Sequence, residues 1–187
     1  MTLYRLFPHR PDASIHEEGG ALHVPRAHQG NGRHDSPDLY GALYLSYTRA
    51  SAIAEHLKHH RGRRVGPGQF LWEREHYALA LFDEARLEPL IDLDEPRELT
   101  RHGLRPSSVA TRDRDVTQGY ARAVHAEGAA GLAWWSTLES SWINVTLFAE
   151  RAFPHLALAG EPEPVTTDHP AVREAAEVIG VTIIEGR

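Results

Sequence analysis

A chain of 187 residues and 20.9 kDa is long enough to bury one sizeable core, and nothing in its length requires a second domain. Its composition is 41% hydrophobic and 25% charged, and no apolar run approaches the roughly 20 residues that a membrane helix needs, which sets membrane insertion aside. The net charge of -6 argues against a broad nucleic-acid surface, the lack of cysteine removes disulfides and thiolate metal sites, and "MTLYRLFPHR" shows no secretory signal, so a cytoplasmic address is expected.

In chain order, "LYRLF" alternates as a half-buried strand, and "ALHV" repeats the pattern after Gly19 and Gly20. The loop "GNGRHDSP", Gly30 to Pro37, precedes "YGALYLSY", which reads as a strand. "TRASAIAEHLKHH" then has an N-cap in Thr48 and apolar residues at Ala50, Ile53, Ala54 and Leu57, the spacing of one helix face. "RGRRVGPGQ" is a loop, and "HYALALF" and "LEPLIDL" are strands. "EPRELTRHG" is a helix stopped by Gly103, and a longer helix covers Asp113 to Glu127, ended by Gly128. "GLAWW" and "WINVTLF" are strands flanking the polar turn "STLESS", and "HLALAG" is a further strand candidate. Past "GEPEPVTTDHP", "AVREAAEVIG" is a last helix and "VTIIE" a closing strand, together about residues 168–185. Meandering strands with scattered helices predict a single α+β domain over residues 1–187, a mixed sheet with flanking helices, rather than a doubly wound parallel sheet.

The residues that suggest chemistry begin in the glycine-rich loop. Its glycines let backbone approach a ligand, and Arg33 offers a planar set of donors suited to phosphate; the plain alternative is a polar turn with a solvated arginine. Tyr44 in the next strand and Glu55 in the next helix can join Arg33 around one cleft, or stand as a core tyrosine and a solvated glutamate. The 13 histidines include His56 and His60 one helical turn apart, but "HLKHH" lacks the zincin glutamate and a third ligand, so no metal is expected. Trp134, Trp135 and Trp142 read as core or pocket wall, and "KHHRGRR" as a solvated helix end.

"GNGRHDSPDLYGALYLSYTRASAIAEHL" resembles the first motif of the RES domain family, the toxin half of bacterial RES-Xre toxin-antitoxin systems: a glycine-flanked arginine, a tyrosine strand and a helix carrying Ala-x-x-Glu. "GLAWWSTLESSWINVTLF" is similar to the later family motif, with Ser136 and Asn144 at its serine and asparagine, and "LYRLF" to the opening aromatic-Arg pair, with Arg5. The likeness runs over about residues 3–148. Many members read Gly-Arg-Trp-Asn where this chain has Gly32, Arg33, His34 and Asp35, and many have Pro where it has Trp135.

The resemblance implies a fold related to the ADP-ribosyltransferase toxins and an enzyme that destroys NAD+, its substrate, by hydrolysis or phosphorolysis of the nicotinamide glycosidic bond. ADP-ribosyl transfer to a protein and a non-catalytic binding module are the alternatives. The implied catalytic set is Arg33, Tyr44, Glu55 and Ser136, and the implied dinucleotide-binding set is Arg5, Arg33, Tyr44 and Asn144. In it Glu55 stabilises the oxocarbenium-like centre, Arg33 anchors the pyrophosphate with Arg5 assisting, Tyr44 packs on nicotinamide or ribose, and Ser136 bonds ribose or carboxamide. The implied partner is an Xre-type helix-turn-helix antitoxin, in a homodimer or a toxin-antitoxin hetero-oligomer, with no membrane and no direct nucleic-acid contact.

Overall fold

The alternation in "LYRLF" produces β1 (Thr2–Pro8), which buries Leu3 and Phe7 on one face and turns Tyr4 and Leu6 to the other. In the computed structural model, which describes residues 2–83, 87 and 89–184, β1 is followed by β2 (Ala42–Ser46), α1 (Arg49–Leu57), β3 (Arg64–Val65), β4 (Leu71–Trp72) and β5 (Glu75–Asp83). Then come β6 (Leu90–Asp92), α2 (Pro96–Arg101), α3 (Pro106–Ala110), α4 (Arg114–Ala126), β7 (Gly131–Trp135) and β8 (Ile143–Phe148). The chain ends with α5 (Ala149–Ala152), β9 (Ala157–Leu158), β10 (Glu163–Pro164), α6 (Pro170–Ile179) and β11 (Thr182–Ile183). Glu88 and Glu185, read as strand residues from the sequence, lie outside the described residues.

The main sheet has the order β10-β5-β1-β2-β8-β7-β6, with β4 and β9 pairing to β5. Its ladders are antiparallel except for β6 on β7, giving the mixed α+β sheet expected from the sequence. The register across its centre sets Tyr44 opposite Thr146, Ser46 opposite Asn144, and Asn144 opposite Trp134. Because side chains alternate along a strand, these residues share one face.

That face is covered by helices. Thr48 caps α1 by accepting the Ser51 N–H at 3.1 Å, and the apolar stripe Ala50, Ile53, Ala54 and Leu57 packs with Val172, Ala175 and Ile179 of α6. Asp113 caps α4, whose Tyr120, Ala121 and Val124 pack on Leu132, Trp134 and Phe148. The opposite face carries Leu43, Leu45, Val145 and Leu147 under Ala21, Leu22, Ala152 and Leu156.

Three local outcomes differ from the sequence expectation. Ala21 to Val24 forms no strand: Ala21 and Leu22 are buried, but the Ala21 and His23 carbonyls accept from the Arg5 guanidinium, so this segment is held by a side chain in place of a ladder. Within "RGRRVGPGQ", Arg64 and Val65 pair in parallel with Thr182 and Ile183 as a separate two-stranded ribbon. Short helices at α3 and α5 were not visible, being too brief to show a period.

Gly131, at the head of β7, has no room for a side chain: an added Cβ would stand 2.4 Å from the Thr146 carbonyl oxygen and 3.0 Å from the Leu147 Cα. Those atoms are backbone and cannot step aside. Gly131→Ala is therefore expected to destabilise the fold by about 1–3 kcal/mol, read as a lower urea midpoint. An unchanged midpoint would show that the β7–β8 ladder yields at this point.

Candidate active site

The loop between Gly30 and Pro37 is not a solvated turn: Arg33, His34, Asp35 and Ser36 are all buried. Asp35 folds it. Its Oδ2 accepts the Gly30 and Gly32 N–H groups at 2.8 and 2.6 Å, and its Oδ1 accepts the Tyr44 hydroxyl at 2.7 Å. A Cβ on Gly32 would fall 2.4 Å from that carboxylate, so a side chain here would displace Asp35 from its place. From α4, Gln118 donates to the Gly30 and Gly32 carbonyls, Arg114 to that of Asn31, and Thr117 to that of Arg33.

Tyr44 thus serves the loop through its hydroxyl, which also accepts the His34 N–H at 2.9 Å. Burial first, and then the adjacent Asp35, hold its phenol well above its ordinary pKa, so it remains a neutral donor. The His34 ring lies between Thr146 Oγ1 at 2.7 Å and the Tyr120 hydroxyl at 2.9 Å, edge-on to Trp134. Both partners are hydroxyls, which satisfy a neutral imidazole.

Glu55 projects from α1 toward β8. Its Oε1 accepts Asn144 Nδ2 at 3.1 Å and lies 3.5 Å from Ser136 Oγ, a long contact, while Oε2 pairs with Lys58 at 3.0 Å. Asn144 is in turn fixed by Ser46 and Ser51, whose hydroxyls donate to its Oδ1 at 2.6 and 2.8 Å. The Glu55 side chain is 29% exposed, so the carboxylate is anchored and still open to a ligand. Ser136 lines an open cleft of about 460 Å³ at the end of β7, with Trp135, Leu138, Ala110 and Arg112 among its walls.

Arg33 lies behind one wall. Its Nη1 donates to the Val109 and Thr111 carbonyls at 2.9 and 2.8 Å, and its guanidinium stacks 4.9 Å from the Trp134 ring centroid. Burial lowers its pKa, with Arg114 adding to the fall, while Tyr120 first and then Glu55 act against it.

Arg5 does not join this group. It shares the Leu3 and Phe7 face of β1, opposite the face of Tyr44 and Asn144, and its guanidinium is engaged by the Ala21 and His23 carbonyls. The structure therefore brings Tyr44, Glu55, Ser136, Asn144 and Arg33 to one side of the sheet and corrects the placement of Arg5 as a second ligand-binding cation.

The sequence reading passed over Ser46, Ser51, Tyr120, Thr146 and Arg112. The first and fourth carried a signal: each is a polar residue in an apolar strand, two positions from a chosen one, so it shares that residue's face. The His56 ring faces the Gln69 carbonyl at 2.7 Å, and among the described residues no group of three His, Asp or Glu side chains is placed to hold a metal.

His34 is held well below its ordinary pKa by burial first and then by Arg33 and Arg114. A histidine neutral in the fold takes up a proton on unfolding, so its stabilising effect is full above about pH 6.5 and falls as pH drops toward the folded-state pKa. Stability should decline below about pH 6.5, with each such histidine contributing up to about 1.4 kcal/mol per pH unit. His34→Gln should flatten that slope in urea titrations between about pH 5 and pH 7. An identical slope in the variant would mean that His34 is already protonated in the fold.

Residues 2–168 match the RES domain family. The fold is similar to a chain in the crystal structure of the M. tuberculosis MbcT-MbcA toxin-antitoxin complex, at 20% identity and a TM-score of 0.61, covering 92% of this chain and 86% of that one. No curated protein matches it in sequence. The family match takes in β1, the Asp35-folded loop, Glu55, Ser136 and Asn144, and the chain belongs to the RES domain family.

Proposed function

We propose that this chain is the toxin of a toxin-antitoxin pair and that it destroys NAD+ by cleaving the nicotinamide glycosidic bond. The observation that carries the reading is the Glu55 carboxylate, fixed by Asn144 and left open beside Ser136 at the edge of the cleft. Membership of the RES family and the toxin-antitoxin complex among its structural neighbours support it.

In this reaction the bond between ribose C1′ and the nicotinamide nitrogen breaks. Its electron pair leaves with nicotinamide, which departs neutral because the ring was a pyridinium. C1′ becomes oxocarbenium-like, and a fixed carboxylate is the group best suited to stabilise it, since a pre-oriented charge needs no reorganisation as the cation forms. A water or phosphate oxygen then bonds to C1′, and an attacking water gives up one proton to the solvent. Ser136, buried at the end of β7, offers a hydroxyl to the ribose or carboxamide. Trp135 is the aromatic residue that lines the cleft, while Trp134 is buried in the core and the half-buried Tyr44 has its hydroxyl already taken by Asp35. An antitoxin segment that covered this cleft would hold the enzyme in check.

Purified protein incubated with NAD+, with and without phosphate and cell extract, should release one nicotinamide per NAD+ lost. Free ADP-ribose, phosphorylated ADP-ribose or labelled protein would identify the acceptor as water, phosphate or a protein side chain. No nicotinamide release under any of these conditions would overturn the reaction. Glu55→Gln keeps the shape and the Asn144 contact but removes the charge, so turnover should fall by about 10²-fold or more with the thermal midpoint unchanged. Near wild-type turnover in the folded variant would remove Glu55 from the chemistry.

A further inference from the structure

The cleft has a cation of its own that differs from Arg33 in exposure and in the donors it has left free. Arg112 lines it beside Trp135 and Ser136, is exposed, and its side chain makes no hydrogen bond or ion pair with any described residue. Arg33 is 8% exposed, and both protons of its Nη1 are committed to the Val109 and Thr111 carbonyls. Those carbonyls belong to the segment that ends α3 and leads directly into Arg112. Arg33 therefore fixes the backbone from which Arg112 extends.

The surroundings leave Arg112 available. Asp113, the next residue, has its Oδ1 on the Asp115 N–H as the α4 cap. Glu139, the acidic residue among those lining the cleft, accepts from the Ser141 N–H and hydroxyl, both at 3.1 Å. Arg114 donates to the Asn31 carbonyl, and its charge reaches His34 and Arg33. One side of the site thus gathers three arginines, while the Glu55 carboxylate approaches from α1. An exposed arginine with all its donors free forms paired, charge-assisted hydrogen bonds to phosphate oxygens, whereas a buried one with Nη1 held by two carbonyls has only its remaining N–H groups to offer.

We infer that Arg112 supplies the guanidinium that holds the pyrophosphate of the dinucleotide, and that Arg33, to which the sequence motif points, is a positioning residue for the Val109–Arg112 segment. This rests on the NAD+ reading of the same cleft. It also divides the dinucleotide between two parts of the fold, the glycosidic bond near α1 and β8 and the phosphates near the loop between α3 and α4.

The test is calorimetric titration of wild type, Arg112→Gln and Arg112→Lys with ADP-ribose, together with NAD+ turnover. Arg112 is exposed, so the substitutions leave the core untouched. Arg112→Gln should weaken ADP-ribose binding by about 10- to 100-fold and shift NAD+ turnover through KM rather than kcat. Arg112→Lys should restore part of the affinity, because it returns the charge without the paired donors. Wild-type affinity and KM in Arg112→Gln, with NAD+ still consumed by the wild type, would overturn this inference and retain the reaction. ADP-ribose binding that depends on Arg112 in a protein releasing no nicotinamide would retain the phosphate site and overturn the reaction. A wild type that neither binds ADP-ribose nor consumes NAD+ would overturn both.

Discussion

The Asn144 carboxamide has one orientation that satisfies its neighbours, and the placement of Glu55 follows from it. A carboxylate only accepts hydrogen bonds, so the amide must turn Nδ2 toward Glu55. Oδ1 then faces the Ser46 and Ser51 hydroxyls, which donate to it. Ser46 is the register partner of Asn144 across β2 and β8, and Ser51 lies in the first turn of α1, whose start is set by Thr48. Two strands and a helix are thus joined at one buried amide. Losing either hydroxyl removes a neutral hydrogen bond worth about 1 kcal/mol, and losing the amide leaves the buried Ser46 and Ser51 hydroxyls without their acceptor, at about 1–3 kcal/mol for each buried group left unsatisfied.

The other half of the site is assembled by a second carboxylate doing the opposite job. Asp35 is not held open for a ligand; it gathers two glycine N–H groups and the Tyr44 hydroxyl, and so turns Arg33 and His34 inward. His34 fills the space between Tyr120, Thr146 and Trp134 as a neutral ring, which leaves the positive charge of this wall to the arginines. His34 and Asp35 are therefore coupled in this chain: one supplies the aromatic filling and the other ties the loop that delivers it.

Much of this was legible in the sequence where a local rule decides the outcome. The Thr48 cap and the apolar stripe of α1, the limits of "GLAWW", and the extent of α4 between Asp113 and Glu127 are all settled within a few residues of themselves. What was not legible depends on register or on distant partners. Arg5 alternates with Leu3 and Phe7, but only the pairing of Tyr4 with Ser46 shows that this face is the one turned away from Asn144. The "ALHV" segment buries the adjacent Ala21 and Leu22 without alternation and forms no strand, and Arg5 takes up the Ala21 and His23 carbonyls. Arg112 stands in an irregular stretch with no motif around it, and its position at the cleft follows from the carbonyls that Arg33 holds beside it.

The proposed reaction requires that the glycosidic bond of NAD+ be brought to the carboxylate that Asn144 holds. A crystal structure of the Glu55→Gln protein soaked with NAD+ tests it without depending on turnover. The nicotinamide ribose should lie in contact with residue 55 and Ser136, on the sheet face that carries Tyr44 and Asn144. A dinucleotide seated on the Arg5 face, or bound with its nicotinamide ribose away from residue 55, would contradict it.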